Sequence, residues 1–93
     1  MAQKPETVFR AKVRKKLELL PNSWFESIQQ KAIQGTPDII GCVNGRFIGI
    51  EAKVGADRQS KKQSDFAAAV RRAGGIYILA RSADEAVKRV NEI

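Results

Sequence analysis

Apolar residues recur at helical spacing in several segments of the chain. In the first segment they stand four, four and three residues apart, which places them on one face of an α-helix: Phe9, Val13, Leu17 and Leu20. Pro5 suits the first turn of this helix, and Pro21-Asn22 ends it. The pattern therefore predicts a helix over residues 5–20.

Two further helices are predicted by capping patterns together with apolar spacing. Ser60 and Gln63 have the spacing of a capping box, and Ser82 and Glu85 repeat it. An apolar stripe follows the first box and stops at a Gly-Gly pair, which predicts a helix over residues 61–73. The second box begins a last helix whose apolar residues are Ala86, Val87 and Val90.

The segments between these helices have strand character. Asn44-Gly45 separates two β-type runs, and this dipeptide is a strong hairpin signal because both central residues of a type I′ turn need positive φ. Residues 36–54 are therefore predicted to form a hairpin. Residues 23–29 and the apolar run 76–80 are predicted as two more strands, with a loop at residues 30–34.

The element order α, β, β, β, α, β, α predicts a single small α/β domain over residues 1–93, with a mixed sheet flanked by helices. A domain of this length has an expected radius of gyration of about 12 Å. Its core is modest, and a dimer would enlarge it.

Charge and missing residue types narrow the function. Lys and Arg number 17 against 10 Asp and Glu, so the formal net charge is +7, which favours a polyanionic partner. The chain has no histidine and one cysteine, Cys42, which excludes Ser-His-Asp and Cys-His catalysis, His-ligated metals and an intrachain disulfide. No apolar run approaches the roughly 20 residues of a membrane span, and no signal-peptide core is seen. We therefore expect a soluble, cytoplasmic protein whose chemistry uses carboxylates, lysine and hydroxyls.

The predicted hairpin brings two acids together. A two-residue turn at Asn44-Gly45 pairs residues whose numbers sum to 89, so Asp38 faces Glu51. Lys53 shares their face because side chains alternate along a strand. Opposed carboxylates lie about 5 Å apart and repel by roughly 3 kcal/mol at an effective dielectric near 20. The pair therefore needs either a proton or a cation.

A divalent cation between these acids would make chemistry possible. Carboxylate oxygens without imidazole or thiolate suit a hard ion, and Mg²⁺ prefers one or two carboxylates together with water and phosphate oxygens. Such an ion lowers the pKa of a bound water and polarises a phosphate. Lys53 is placed to hold that water or to stabilise developing negative charge. With the positive net charge, this indicates phosphodiester hydrolysis.

The same residues carry a family resemblance. Gly35-Thr36-Pro37-Asp38, followed after twelve residues by Glu51-Ala52-Lys53, resembles the PD-(D/E)xK nuclease signature. The leading helix with Glu6, the S-x-x-Q helix start with Gln63 and the trailing G-G-I-Y strand resemble, more narrowly, the virus-type replication-repair (VRR-NUC) nuclease domain, over nearly the whole chain. The short link over residues 24–35 departs from the family pattern.

The resemblance implies a restriction-endonuclease-like core and Mg²⁺-dependent cleavage of DNA, in which Mn²⁺ can substitute. The implied metal ligands are Asp38, Glu51 and the backbone carbonyl of Ala52, with Glu6 nearby. Lys53 would be the catalytic lysine, and Gln63 a further site residue. Short members of the family resemble homodimers that cut branched DNA such as four-way junctions, leaving 5′-phosphate and 3′-hydroxyl ends. The implied setting is a bacterial cell or a phage-infected host.

Each site residue also has a purely structural interpretation. Glu6 complements the dipole of its helix, and Gln63 is the return arm of a capping box. Lys53 is a solvated strand end that pairs with the acids of a surface hairpin, Asp38 and Glu51.

The remaining assignments are of two kinds. The basic residues expected to contact phosphates, or else to form solvated helix faces, are Arg10, Arg14, Lys15, Lys61 and Lys62. Trp24, Phe25 and Tyr77 are expected in the core or an interface rather than as base-stacking platforms, and Cys42 as a small buried strand residue. Two other functions stay open, namely a non-catalytic basic nucleic-acid-binding module and a restriction-type, sequence-specific nuclease.

Overall fold

The computed structural model contains a four-stranded mixed sheet flanked by three helices in the described part of the chain. It describes residues 5–28, 32–55 and 57–93, with side chains from residue 8 onward. The elements are α1 (Pro5–Leu17), β1 (Ser23–Ser27), β2 (Ile39–Val43), β3 (Arg46–Ala52), α2 (Lys61–Arg72), β4 (Ile76–Ala80) and α3 (Ala83–Asn91). This order confirms the predicted α/β fold class.

Three predicted elements extend past their observed C-terminal ends, and the smallest difference is in α2, which ends at Arg72 rather than at residue 73. The first helix stops at Leu17 rather than at residue 20, because the Leu20 N–H bonds to the Leu17 carbonyl (3.0 Å) in a tighter turn. Strand β1 ends at Ser27, two residues earlier than predicted. The predicted loop at residues 30–34 falls partly on residues 29–31, which lie outside the described ranges.

The sheet has the order β1-β2-β3-β4, antiparallel between the first three strands and parallel between β3 and β4. The hairpin prediction is confirmed, because Asn44 and Gly45 have φ of 50° and 85°. Every β2–β3 pair, from Val43 opposite Arg46 to Ile39 opposite Ile50, has numbers that sum to 89. The turn therefore sets the predicted register.

Helices α1 and α3 cover one face of the sheet. The buried residues of this core are Val13, Leu17, Phe25, Ile39, Val43, Ile48, Ile50, Ile78, Ala80, Ala86 and Val90. On the other face α2 packs against β4, where the Phe66 and Tyr77 ring centroids lie 6.4 Å apart. Phe25 and Tyr77 are buried, as predicted.

Two strand residues lie outside the buried core. Trp24 is 54% exposed and is not a core residue, and Cys42 is only partly buried. Both alternate with residues of the α1/α3 core, so their side chains point to the face that α2 only partly covers. The mixed polarity of β1 does not reveal which of its two aromatic residues faces the core.

The radius of gyration is 12.6 Å, close to the value expected for this length. Within the described ranges, none of the helices combines the length and hydrophobicity needed to cross a bilayer.

Candidate active site

Two close backbone approaches hold the segment that precedes β2. Gly35 has φ of 89°, and a Cβ there would lie 2.3 Å from the carbonyl oxygen of Lys62 in the first turn of α2. A Cβ on Gly49 of β3 would lie 2.9 Å from Cγ of Pro37. Glycine permits both approaches. The Gly-Thr-Pro-Asp segment is therefore seated against α2 and β3, and this fixes where Asp38 lies.

Asp38 accepts hydrogen bonds from three other parts of the chain. Its carbonyl accepts the Ile28 N–H at 2.8 Å, which continues the β1–β2 ladder by one residue. Its carboxylate accepts the Ala52 N–H at Oδ2 (2.9 Å) and the guanidinium of Arg10 at Oδ1 (3.3 Å). The residue is 7% exposed. The carboxylate is therefore buried, oriented by β3 and balanced by a cation from α1.

Glu51 is 3% exposed and is joined to the first turn of α2. The Gln63 Nε2 donates to Glu51 Oε1 at 2.9 Å. The other end of the same amide, Oε1, accepts the Ser60 N–H at 2.9 Å, and Ser60 Oγ accepts the Gln63 N–H at 3.1 Å. The predicted capping box is therefore present, and the other end of the same side chain contacts Glu51.

The two acids meet at one end of the sheet. The β2–β3 register ends at Ile39 opposite Ile50, so the next residues outward are Asp38 and Glu51. Tyr77 pairs with Gly49, two residues before Glu51, and so lies on the same face. Burial, then the negative charges of Glu51 and Asp38, raise the pKa of the Tyr77 hydroxyl to about 12, against the lowering effects of Gln59 and Arg71. Both carboxylates therefore lie near this hydroxyl.

Tyr77 and Arg10 are the neighbours of the acid pair that sequence reasoning missed. Tyr77 was expected only as a core or interface residue, and its place beside Glu51 follows from the parallel β3–β4 register. Arg10 was expected to contact phosphate, and here it pairs with Asp38 across 28 positions of the chain. Neither strand spacing nor helix spacing in the sequence signals these contacts.

The other predicted site residues are placed less fully. The Lys53 N–H donates to the Ala80 carbonyl at 3.0 Å and its side chain is partly buried, and within the described part of the chain its ammonium makes no ion pair. Glu6 lies in the first turn of α1, and its side chain is outside the described residues. Over the same described ranges, no three Asp, Glu or Cys side chains form a ready-made metal cluster.

The basic residues of α1 line a cleft beside Asp38. Arg10, Arg14 and Lys15 border an open cleft of about 770 Å³ that also contacts Ser27 and Ile28 at the end of β1. Glu18 also lines the cleft, and Arg14 pairs with Glu26 at 3.3 Å. Arg10 therefore both lines this cleft and contacts Asp38 of the acid pair.

The two lysines at the start of α2 are solvent-exposed. Lys61 pairs with Asp65 at 3.2 Å, one helical turn away, and Lys62 is exposed beside it. They belong to the same first turn of α2 as Gln63, whose side chain contacts Glu51.

Neither a family model, nor a curated protein, nor a solved structure matches this chain. The case for a function therefore rests on the geometry and chemistry of these residues.

Proposed function

We propose that the chain is a metal-dependent endodeoxyribonuclease of the VRR-NUC type that hydrolyses phosphodiester bonds in branched or otherwise structured DNA. The observation that carries the proposal is the pair of buried acids, Asp38 and Glu51, on adjoining strands of a strongly basic chain. Burying two opposed carboxylates costs free energy and needs a compensating charge. A site that binds a cation and acts on a polyanion would account both for the buried acids and for the basic charge of the chain.

The donor set fits Mg²⁺, with Mn²⁺ as a substitute. Both ions take oxygen ligands, and a chain without histidine supplies such ligands through Asp38, Glu51 and a backbone carbonyl, for which we propose Ala52. Glu6 on α1 is proposed to lie close to this set. When bound, the ion would lower the pKa of a water molecule and polarise the phosphate. Lys53 would hold that water or stabilise the negative charge that develops.

Arg10 has two uses in this scheme. Its guanidinium balances Asp38 at 3.3 Å, and it also borders the cleft beside α1. A guanidinium binds phosphate as well as carboxylate, often through two hydrogen bonds. Once a metal ion neutralises Asp38, Arg10 would be available to the DNA backbone.

The remaining basic residues supply the affinity for DNA. Arg14 and Lys15 line the same cleft as Arg10, and Lys61 and Lys62 stand at the start of α2. Their contacts with phosphates would release counterions, so binding would weaken steeply with salt. A homodimer would present two such sites to a branched substrate. The single cysteine suits a cytoplasmic protein.

A non-catalytic DNA-binding module is the second candidate. It is favoured by the contacts that Asp38 and Glu51 already make with Arg10, Ala52 and Gln63, which satisfy the acids as structural groups. In that case the basic residues alone would carry the function.

A cleavage assay on linear duplex, flapped and four-way DNA, with Mg²⁺, with Mn²⁺ and with EDTA, tests the proposal. We expect metal-dependent cutting of the branched DNAs by the wild type. Asp38→Asn removes one charge at nearly constant shape, so it should reduce cutting to background while DNA binding is kept. The matched control is Asp65→Asn, which removes an exposed acid of α2 and should cut like the wild type.

Two outcomes would contradict the proposal. Binding without cutting in excess metal, unchanged by Asp38→Asn, would identify the binding module. Cutting of matched linear duplex at least as fast as of branched DNA would identify a restriction-type nuclease.

A further inference from the structure

Three side chains form a row on the sheet face that α2 covers only in part. Trp24 of β1 pairs directly with Cys42 of β2, and Cys42 pairs directly with Phe47 of β3. Directly paired residues project to the same side of a sheet, so the three side chains form one row across three strands. Trp24 is 54% exposed and Phe47 is 40% exposed. We call Trp24, Cys42 and Phe47 the aromatic row.

The aromatic row and the acid pair share this face. Cys42 is four residues from Asp38, and Phe47 is four residues from Glu51, and an even separation along a strand keeps two residues on the same side. Four residues of strand span about 13 Å. The row and the acids therefore lie on one face of the sheet, a few nucleotides' length apart.

The register position between them is partly covered by the chain itself and nearly neutral. The middle register position holds Glu26, Ile40 and Gly49, and Gly49 is covered by the ring of Pro37. The one carboxylate among them, Glu26, is paired with Arg14 at 3.3 Å. These residues therefore carry no unbalanced negative charge that would repel a DNA strand bound beside the row.

The size and charge of the aromatic row favour nucleotides over a second copy of the chain. A large aromatic side chain buries 150–250 Å² in all, so the exposed parts of Trp24 and Phe47 amount to only about 200 Å². A stable protein interface needs about 800 Å² from each partner. The net charge of +7 also attracts a polyanion.

We propose that the aromatic row stacks unpaired bases of the DNA, so that the preferred substrate has a single-stranded segment next to the cut. Every base offers a flat face to an aromatic ring, and such stacking changes affinity by about tenfold or more per base. Bases within a duplex are already stacked and paired, and they do not reach the row. The position of the cut rests on the proposed nuclease function, whereas the stacking is a binding event that needs no metal.

Tryptophan fluorescence in EDTA tests the stacking without any cleavage. Trp24 is the chain's only tryptophan, so its emission reports on the row alone. We expect a short oligothymidylate to quench Trp24 saturably, and a blunt duplex of equal length to leave the emission nearly unchanged. In fluorescence anisotropy with a labelled oligonucleotide, Trp24→Ala and Phe47→Ala should each weaken single-strand binding about tenfold or more.

Two control variants separate stacking from general damage. Trp24→Phe keeps an aromatic ring and should retain most of the single-strand affinity. Leu19→Ala removes an apolar side chain that is 85% exposed and outside the row, and should bind like the wild type. Duplex affinity should be similar in all the variants, because it depends on phosphate contacts.

Two results would overturn the inference. The first is an unquenched Trp24 with single-strand affinity unchanged in Trp24→Ala and Phe47→Ala. The second is a Trp24 emission that shifts with protein concentration in the absence of DNA, together with loss of a dimer in Trp24→Ala during sedimentation, which would make the row a self-interface. The proposed function fails separately, if Mg²⁺ supports no cutting although Trp24 is quenched.

Discussion

At the scale of single residues, the acid pair is defined by the donors that surround it. Asp38 accepts from Arg10 and from the Ala52 N–H, and Glu51 accepts from Gln63. Buried carboxylates require such partners because their loss of hydration is otherwise uncompensated. Each of these donors comes from a different element, so the acids are held only in the folded chain.

Tyr77 offers a direct measurement of this arrangement, because it is the only tyrosine. Burial and then the charge of Glu51 raise its pKa to about 12, with a smaller contribution from Asp38. Glu51→Gln removes the carboxylate with the larger effect on Tyr77, so it should lower the Tyr77 pKa toward its ordinary value. Asp38→Asn should lower it less. An absorbance titration of the phenolate measures both.

The exposed acid Asp65 supplies the control for this titration, since Asp65→Asn should leave the Tyr77 pKa unchanged. The Tyr77 hydroxyl ionises near pH 10 in the unfolded chain and near pH 12 in the folded chain. The unfolded state therefore loses its proton first, and the free energy of unfolding should fall over that interval by about 1.4 kcal/mol per pH unit. This fall should be missing in Tyr77→Phe. A Tyr77 pKa that does not change in Glu51→Gln would contradict the placement of the acid beside the ring.

The sequence predicts the acid pair but not its contacts with Arg10 and Tyr77. Asp38 and Glu51 follow from strand alternation and the two-residue turn, both of which are local. The Arg10–Asp38 contact depends on how α1 lies over the sheet, and the spacing of apolar residues says only that α1 has a buried face. Long-range contacts of this kind are set by packing.

At the scale of elements, the first turn of α2 both caps the helix and contacts an acid of the candidate site. Gln63 closes the capping box through Oε1 and bonds Glu51 through Nε2. The positive end of the helix dipole lies at the same place and favours nearby negative charge. The first turn of α2 thus stabilises the helix and orients a carboxylate together.

Two substitutions test the capping of α2 and the contact with Glu51 separately. Ser60→Ala removes the cap oxygen and should cost about 1 kcal/mol of unfolding free energy, with cleavage retained. Gln63→Glu keeps an acceptor for the Ser60 N–H, but it replaces the donor to Glu51 with a carboxylate, so it should cost about 1–3 kcal/mol and also impair cleavage. Urea unfolding and the cleavage assay measure the two effects. Wild-type stability in Gln63→Glu would show that the contact with Glu51 contributes nothing.

Local signals predict most elements, and the exceptions have physical causes. The hairpin and the capping box at Ser60 depend on a few adjacent residues, and both are confirmed. In the second predicted box, the Glu85 carboxylate accepts the Arg81 N–H in place of the Ser82 N–H. The parallel register of β3 with β4 is set by the packing of α2, and no sequence spacing encodes it.

At the scale of the whole molecule, the acid pair lies where the parallel strands β3 and β4 end and α2 begins. A basic cleft borders it on one side and the aromatic row lies on the same sheet face. The sequence predicts the fold class, and its composition gives the positive net charge directly. It does not predict the open face, because the exposure of Trp24 depends on how much of the sheet α2 covers.

Isothermal titration of Mn²⁺ into the protein measures most directly whether the two acids form a metal site. The wild type should bind Mn²⁺ saturably, Asp38→Asn and Glu51→Gln should each lose this binding, and Asp65→Asn should retain it, because only the first two acids are placed to share an ion. Absence of saturable binding in the wild type, or equal binding by all four proteins, would contradict the metal site and with it the nuclease chemistry.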